Sequence, residues 1–249
     1  VVPHAYHAGI AKAALSANKA VFCEKPLTPS AAASRELIKL AREKNVFLME
    51  GMKTAFLPTI RRARQWIDEG RIGKAKLLKA DFCFRGSQDP NDRLLNPDLA
   101  GGAILDVGIY PLSLARILLG DIVKIKATGH LASTGVEESA CITTHHANGA
   151  VAALSCSINA SDSLDALVLG ETGKIQLPDS HRATEARWIP DNGAPETFTS
   201  PDESRVTDEI EAAMQALDQG RIECPGHSHA DTLALAEAMD SALLEVKGF

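Results

Sequence analysis

Lys25, Asp106 and Tyr110 are the residues of this 249-residue chain whose types and placement could do chemistry together. Lys25, in Glu24-Lys25-Pro26, directly follows a short apolar run at 20–23 that reads as a strand. In an open parallel sheet the carboxyl ends of strands face the ligand crevice, so a lysine there is aimed at a ligand; the other reading is a solvated lysine in a turn. Asp106 and Tyr110 stand four apart in Gly101-Gly102-Ala103-Ile104-Leu105-Asp106-Val107-Gly108-Ile109-Tyr110-Pro111. That spacing puts both on one helix face, and both interrupt a segment apolar enough to be buried. A buried carboxylate beside a phenol is either satisfied internally, Asp to Tyr, or kept for a ligand. Gly108 and Pro111 weaken this helix, through backbone entropy and a lost N–H, as suits a helix with something beside it.

Histidines form a further group. His4 and His7 are three apart at the start of a helix, His145 and His146 are adjacent and point to opposite faces of a strand, and His227 and His229 flank a helix start. None has a carboxylate or cysteine at a matching ligand spacing, so no metal site is expected. There is no Gly-x-Gly-x-x-Gly, no phosphate loop and no Gly-x-Ser-x-Gly, which leaves nucleotide kinases and serine hydrolases without support. Cys23, Cys83, Cys141, Cys156 and Cys224 are odd in number and far apart, with no Cys-x-x-Cys. A reducing cytoplasm is the default for such usage, and Asn159-Ala160-Ser161 reads as a chance sequon.

The elements that must hold these residues change style along the chain. From 1 to about 54, short apolar runs alternate with helical patterns: Val1-Val2 reads as the end of a strand, then come a helix over 4–17, a strand at 20–23, a helix over 31–44 and a strand at 46–49. Thr28-Pro29-Ser30 suits the start of the second helix, with Leu37, Ile38, Leu40 and Ala41 as its buried stripe. A helix follows at about 57–69, with Leu57, Ile60 and Ile67 inward and Gly70 as its stop, then a strand near 75–84, a loop, and a long apolar helix from Gly101-Gly102 to about 119. From 123 to about 198 the pattern is a run of strands with Gly, Asn and Asp turns, a meander-like antiparallel sheet. Two helices end the chain, one with Val206, Ile210, Ala213, Met214 and Leu217 on one face, the other with Leu233, Ala236, Met239 and Leu243. The fold class is therefore α/β: the C-terminal part of a Rossmann-type doubly wound sheet over 1–54, then an α+β domain over 55–249 with a large, mostly antiparallel open sheet. Two domains sharing a cleft is the natural arrangement for a ligand site. With 26 Lys+Arg against 32 Asp+Glu the net charge is −6, which offers no electrostatic footprint for nucleic acid. No continuous apolar run approaches the roughly 18 residues of a membrane span.

These pieces together resemble the glucose-fructose oxidoreductase, inositol dehydrogenase and MocA family of NAD(P)-dependent oxidoreductases. Pro3-His4-Ala5-Tyr6-His7 is similar to the family's Thr-Pro-x-x-x-His segment, and Lys19-Ala20-Val21-Phe22-Cys23-Glu24-Lys25-Pro26 resembles its Gly-Lys-His-Val-x-x-Glu-Lys-Pro run. Within the family, Asp89-Pro90-Asn91-Asp92-Arg93-Leu94 followed by 97–99 and 101–112 looks like the trans-dihydrodiol dehydrogenase branch, since the sugar and inositol branches usually place His where this chain has Tyr110. The resemblance implies an oxidoreductase acting on the CH–OH group of a small diol, polyol or sugar, with NADP or NAD as cofactor. It implies that Lys25, Asp106 and Tyr110 meet in one cleft, with Tyr110 as general acid/base, the Lys25 ammonium lowering the phenol's pKa and Asp106 orienting Lys25 or Tyr110. Pro3, His4, His7, Glu24, Lys25 and Pro26 would then line the cofactor, and Lys53, Phe84 and Arg93 the substrate pocket. It further implies a cis Lys25-Pro26 peptide and a homodimer through the open sheet; composition and charge point to no nucleic-acid or membrane partner.

The chain departs from that pattern in places. Lys53 stands where the dihydrodiol branch usually has Trp, and Asn18, Ala20 and Ala100 replace the usual Gly, His and Gly. A Lys in place of an aromatic wall favours a polar or anionic substrate over a hydrocarbon diol. The family's first two β-α units, with the glycine turn that holds the pyrophosphate, would precede Val1, so this chain is expected to be truncated and to bind NAD(P) poorly by itself. A sugar dehydrogenase or reductase of the same family with a different pocket, and a non-catalytic oligomerisation or binding fragment, are the alternative readings.

Overall fold

Ser30 and Asn45 end the second helix as their chemistry dictates. In the computed structural model, which describes residues 2–161, 164–200 and 205–248, the chain opens with α1 (His4–Ser16), β1 (Val21–Glu24), α2 (Ala31–Lys44) and β2 (Leu48–Gly51). The Ser30 hydroxyl accepts from the Ala33 amide at 3.3 Å, a cap worth about 1 kcal/mol. Asn45 closes α2 in the left-handed region at φ 52°. β1 and β2 pair in parallel, Val21 opposite Leu48 through Glu24 opposite Gly51, and Leu15, Leu27, Leu37, Ile38, Ala41 and Leu48 bury between sheet and helices. Val1 lies outside the described residues and Val2 belongs to no strand, so the strand end expected there is not seen.

A short 3-10 turn (Lys53–Phe56) leads into α3 (Pro58–Asp68), whose Ile60, Ala63 and Trp66 are fully buried. The rest is built on one eight-stranded sheet: β3 (Ala75–Cys83), β4 (Ile122–Leu131), β5 (Glu137–His146), β6 (Val151–Ser157), β7 (Ala166–Gly170), β8 (Gly173–Leu177), β9 (Glu185–Pro190) and β10 (Glu196–Thr199). Its order is β10-β9-β8-β7-β3-β6-β5-β4. Every neighbouring pair among the described residues is antiparallel except β3 with β6, which run parallel. The alternation along β5 shows which face is the core: Ala140, Ile142, Thr144 and His146 are buried, whereas Cys141, Thr143 and His145 are exposed. The Ala147-Asn148-Gly149 turn joins β5 to β6 as its residues predict, with Gly149 at φ 87°.

The apolar segment after Gly102 is not one uniform helix. It begins as a wide π-helical turn (Ile104–Gly108) and tightens into α4 (Ile109–Leu119). Contrary to the reading that no apolar run approaches a membrane span, Pro97–Leu119 is by length and composition long and apolar enough for one; 83% of its most apolar window is buried inside the fold.

The chain ends with α5 (Arg205–Asp218) and α6 (His229–Lys247). Ser228 and Asp231 form a reciprocal capping box at the start of α6. α6 packs on β4 of the large sheet and on α2 of the N-terminal unit, where the Asp240 carboxylate accepts from the Ala31 amide at 2.9 Å. The segment before it also ties back: the Leu48 amide donates to Ile222 O at 3.0 Å and His227 Nε2 lies 2.9 Å from Glu50 Oε2. Residues 222–247 thus brace the N-terminal unit although the chain left it near residue 54.

α5 differs from its sequence reading. Val206, Ile210, Met214 and Leu217, expected inward, are all exposed, while Glu209, Ala213 and Ala216 are buried. The inner face is small because it lies against Phe47, Met49 and Phe56, which already fill the space.

Candidate active site

Lys25 is delivered by the carboxyl end of β1, the position from which an open parallel sheet presents side chains to its crevice. Two contacts fix the turn that carries it. A ring N–H of His7, Nδ1, donates to Pro26 O at 2.8 Å, and the Leu27 amide donates to the buried Glu50 Oε1 at 2.7 Å. The Lys25–Pro26 peptide is cis, as expected. Pro3 is the cap residue of α1, and His4, in the first turn of that helix, donates from Nδ1 to Ala100 O at 3.1 Å.

Asp106 comes from the π turn, and its neighbours explain why the turn exists. Pro111 has no N–H to offer the carbonyls four and five residues before it, those of Val107 and Asp106, and its ring crowds the preceding turn. The Asp106 carbonyl accepts instead from the Lys25 ammonium. Gly108 suits the approach of β6, since a Cβ there would lie a tight 3.1 Å from Cys156 Sγ. Upstream, Gly102 sits at φ 123° with its Cα against Glu137, and the Glu137 carboxylate accepts from the Ile104 amide at 3.1 Å, capping the turn from inside the core. Gly101 lets the 93–94 backbone pass within reach, for a Cβ would meet Leu94 O at 2.5 Å. That passage sets Arg93 beside the site.

Asp106 Oδ1 is the hub. Arg93 Nη1 donates to it at 2.9 Å, Lys25 Nζ lies 3.4 Å away and His4 Nε2 3.6 Å. Burial alone would raise this carboxyl, but Lys25 and Arg93 hold it below its ordinary value, so it is ionised. Lys25 moves down from its usual range because burial disfavours its charge, with Asp106 opposing. His4 is lowered to about 4, by burial first and then by Lys25, and is neutral near pH 7.

Tyr110 is in the first turn of α4. Its ring packs at 5.1 Å on Phe82 and 6.3 Å from His181, with Lys25 Nζ 5.1 Å and Lys53 Nζ 5.5 Å from its centroid. No Asp106–Tyr110 hydrogen bond forms among the described residues; the Asp106 carboxylate is engaged by cations instead. The expected lowering of the phenol by Lys25 is also not met. Burial, then the carboxylates of Glu24, Asp106 and Glu209, push Tyr110 above its usual value, with only Arg182 opposing among the leading causes. Lys25 approaches the ring face, while its strong partner is Asp106.

The structure therefore gathers Lys25, Asp106, Tyr110, His4, Arg93 and Lys53 around one cleft, with His7 and Pro26 immediately behind Lys25 and Glu24 exposed at its rim. Phe84 stands one aromatic removed from Tyr110: its ring meets Phe82 at 6.4 Å, and Phe82 is the ring that packs on Tyr110. Both residues alternate onto one side of the same strand end, so sequence spacing cannot choose between them. Three participants were not singled out: Phe82, Glu209, and His181, whose ring stacks 4.3 Å from Phe82 and whose pKa burial and Lys53 lower to about 4. His146, His227 and His229 are structural, bonding Gly120 O, facing Glu50 and bonding Leu48 O respectively. From Lys53 a cavity of about 630 Å³ opens past Asp179, Arg182 and Thr184, room for a small-molecule ligand.

Residues 1–52 match the oxidoreductase family with the NAD-binding Rossmann fold, and residues 60–176 match the GFO/IDH/MocA C-terminal domain. The chain is 30% identical to a trans-1,2-dihydrobenzene-1,2-diol dehydrogenase of Danio rerio, over 98% of this chain and 75% of that one. It is 27% identical to a D-xylose 1-dehydrogenase (NADP(+)) of Hypocrea jecorina, over 97% and 70%. Its fold is similar to that of a 3-ketoreductase from Actinomadura kijaniata in complex with NADP and TDP-benzene, with a TM-score of 0.88 and 26% identity over 98% of this chain and 76% of that one. A Rossmann-type unit that presents Lys25, a second unit whose helix α4 presents Tyr110 beside a large open sheet, and 30% identity over 98% of this chain to a named dehydrogenase place the chain in the GFO/IDH/MocA family of NAD(P)-dependent oxidoreductases.

Proposed function

We propose that the protein transfers hydride between NADP or NAD and the CH–OH carbon of a small sugar, polyol or diol, with Tyr110 as the proton donor and acceptor. The observation that carries this reading is the meeting of Lys25, Asp106 and Tyr110 across the two units of the chain. The residues fit the nicotinamide end of such a cofactor. The α1 N-terminus has no side-chain cap and no acidic residue in its first turn; Pro3, Glu24 and Lys25 reach the surface beside it with His4, His7 and Pro26 buried just behind, and Lys25 reaches the Tyr110 ring. Those six residues would hold the nicotinamide end. When bound, NADP or NAD supplies the hydride donor or acceptor.

The chain's own residues manage the proton and the geometry. Tyr110, kept protonated by burial and by the carboxylates around it, holds a proton at its Oη for a substrate oxygen. Lys25, fixed by both the carbonyl and the carboxylate of Asp106, keeps a cation over the ring as negative charge develops on the phenol oxygen. Arg93 anchors Asp106 from the substrate side, and Phe82 and His181 exclude water from the ring. Lys53 beside Tyr110 supports a polar substrate over a hydrocarbon diol. Two copies would associate through the solvent face of the large sheet, where Leu167, Lys79, Ala153 and Thr143 form a cross-strand row.

A panel of aldoses, inositols and vicinal diols, each offered with NADP and with NAD to the full-length protein, tests the reading by cofactor absorbance. Turnover concentrated on polyhydroxylated substrates is the expected result; no turnover on any member with either cofactor would sink it.

A further inference from the structure

Glu209 is turned against the chemistry of its own helix. On α5 the large apolar residues Val206, Ile210, Met214 and Leu217 point to solvent at 42–58% exposure, while Glu209 is only 4% exposed. It shares its face with Ala212, Ala213 and Ala216, three, four and seven residues on, the spacing of one helical stripe. Ala213 and Ala216 pack with Phe56, the last residue of the turn that Lys53 begins. α5 packs on the 3-10 turn that Lys53 begins, and Lys53 in turn approaches the Tyr110 ring. The charges of Glu24 at the end of β1 and of Lys53 act on Glu209, and that of Glu209 acts on Tyr110. Its Oε2 is shut off from solvent and has no hydrogen-bond partner among the described residues. A buried, unsatisfied carboxylate oxygen costs stability, and its natural partner in a cleft is a donor brought by a ligand.

We propose that Glu209 is a substrate-recognising carboxylate, accepting a hydrogen bond from a hydroxyl of a polyhydroxylated substrate whose reacting carbinol lies at Tyr110. The assignment rests on the oxidoreductase reading above and names its substrate class. Above about pH 7, where this raised carboxyl is ionised, it offers acceptors only. A simple diol presents its hydroxyls at the reacting end, so a third hydroxyl, as in an aldose or higher polyol, is what Glu209 selects. Lys53, on the same side of Tyr110, supplies donors where Glu209 supplies acceptors, and together they replace an aromatic wall with a polar one.

The test uses D-xylose and trans-cyclohexane-1,2-diol as probes on the wild-type protein and on Glu209→Gln, with folding checked by circular dichroism. Glu209→Gln should raise KM for D-xylose about tenfold, the size of one charge-assisted hydrogen bond. The change should appear in KM more than in kcat, and KM for the cyclohexanediol should move less than twofold. Equal changes for the two probes, or a loss confined to folding stability, would overturn the assignment. If the wild type turns over neither probe, the oxidoreductase reading is left to the wider substrate panel, and carboxyl-carbon NMR decides the fate of Glu209. D-xylose displacing the Glu209 titration while the cyclohexanediol does not supports the site, and no displacement by D-xylose overturns it.

Discussion

Lys25, Asp106 and Tyr110 were legible because each carries a local contradiction: a charge or a phenol set into an apolar segment, or a lysine at the carboxyl end of a strand. Phe82, His181 and Glu209 carry none. Phe82 looks like any strand aromatic, His181 lies in a short turn (Ser180–Arg182) with no pattern of its own, and Glu209 is hidden by the apolar stripe on the opposite side of its helix. Glu209 also yields a stability prediction with a definite sign. Burial raises its carboxyl from 4.5 to about 7, with Glu24 adding to the shift. Between those values the folded protein holds a proton that the unfolded chain has released, so this group's contribution is full below about pH 4.5 and is lost as pH rises through 7. Glu209→Gln cannot ionise. Urea unfolding should therefore find the variant about 2–3 kcal/mol more stable than wild type at pH 8 and within about 0.5 kcal/mol of it at pH 4.5. A variant less stable at pH 8 would show that the carboxylate is well solvated or fully paired in the fold.

At the scale of elements, the part of the sequence that reads as one apolar helix is the part whose detail was least legible. Gly101-Gly102, Gly108 and Pro111 announce a weak helix, but a π turn arises from what crosses it: the 93–94 backbone on one side, β6 on another and the Glu137 carboxylate beneath. Those neighbours are far away in sequence. Gly102 is the position where the requirement is strictest, because its φ of 123° disfavours a side chain and a Cβ would overlap Glu137 Oε1 at 2.2 Å. Gly102→Ala should cost on the order of 2–4 kcal/mol in denaturant unfolding, since backbone strain and the lost cap on Ile104 combine. A change below about 0.5 kcal/mol would mean that the turn and Glu137 rearrange freely. α2 shows the opposite case. Its cap, its stripe and its stop are all local, and Ser30, the 37–41 stripe and Asn45 appear where local chemistry puts them.

At the scale of the molecule, the alternation of period with turn residues was enough to read a Rossmann-type unit followed by a mostly antiparallel sheet. What it did not reveal is the return of 222–247 onto the first unit, because the contacts of Asp240 with Ala31 and of His227 with Glu50 pair residues about two hundred positions apart. The sheet's solvent face gives the assembly prediction. Sedimentation equilibrium should find a dimer that Ala153→Arg, in the middle of that face, converts to monomer; a monomeric wild type would remove the interface. The proposed site spans the molecule in the same way, with Lys25 and the residues proposed for the nicotinamide on the first unit and Tyr110 on the second. Binding and turnover should therefore separate. The most direct measurement is Tyr110→Phe in the full-length protein, comparing kcat/KM for D-xylose with NADP affinity by fluorescence titration. The account predicts a fall in kcat/KM of about 100-fold or more, the usual share of a general acid/base, with NADP affinity within about twofold of wild type. Turnover retained within a few-fold would contradict it, and would move the proton to another group of the cleft.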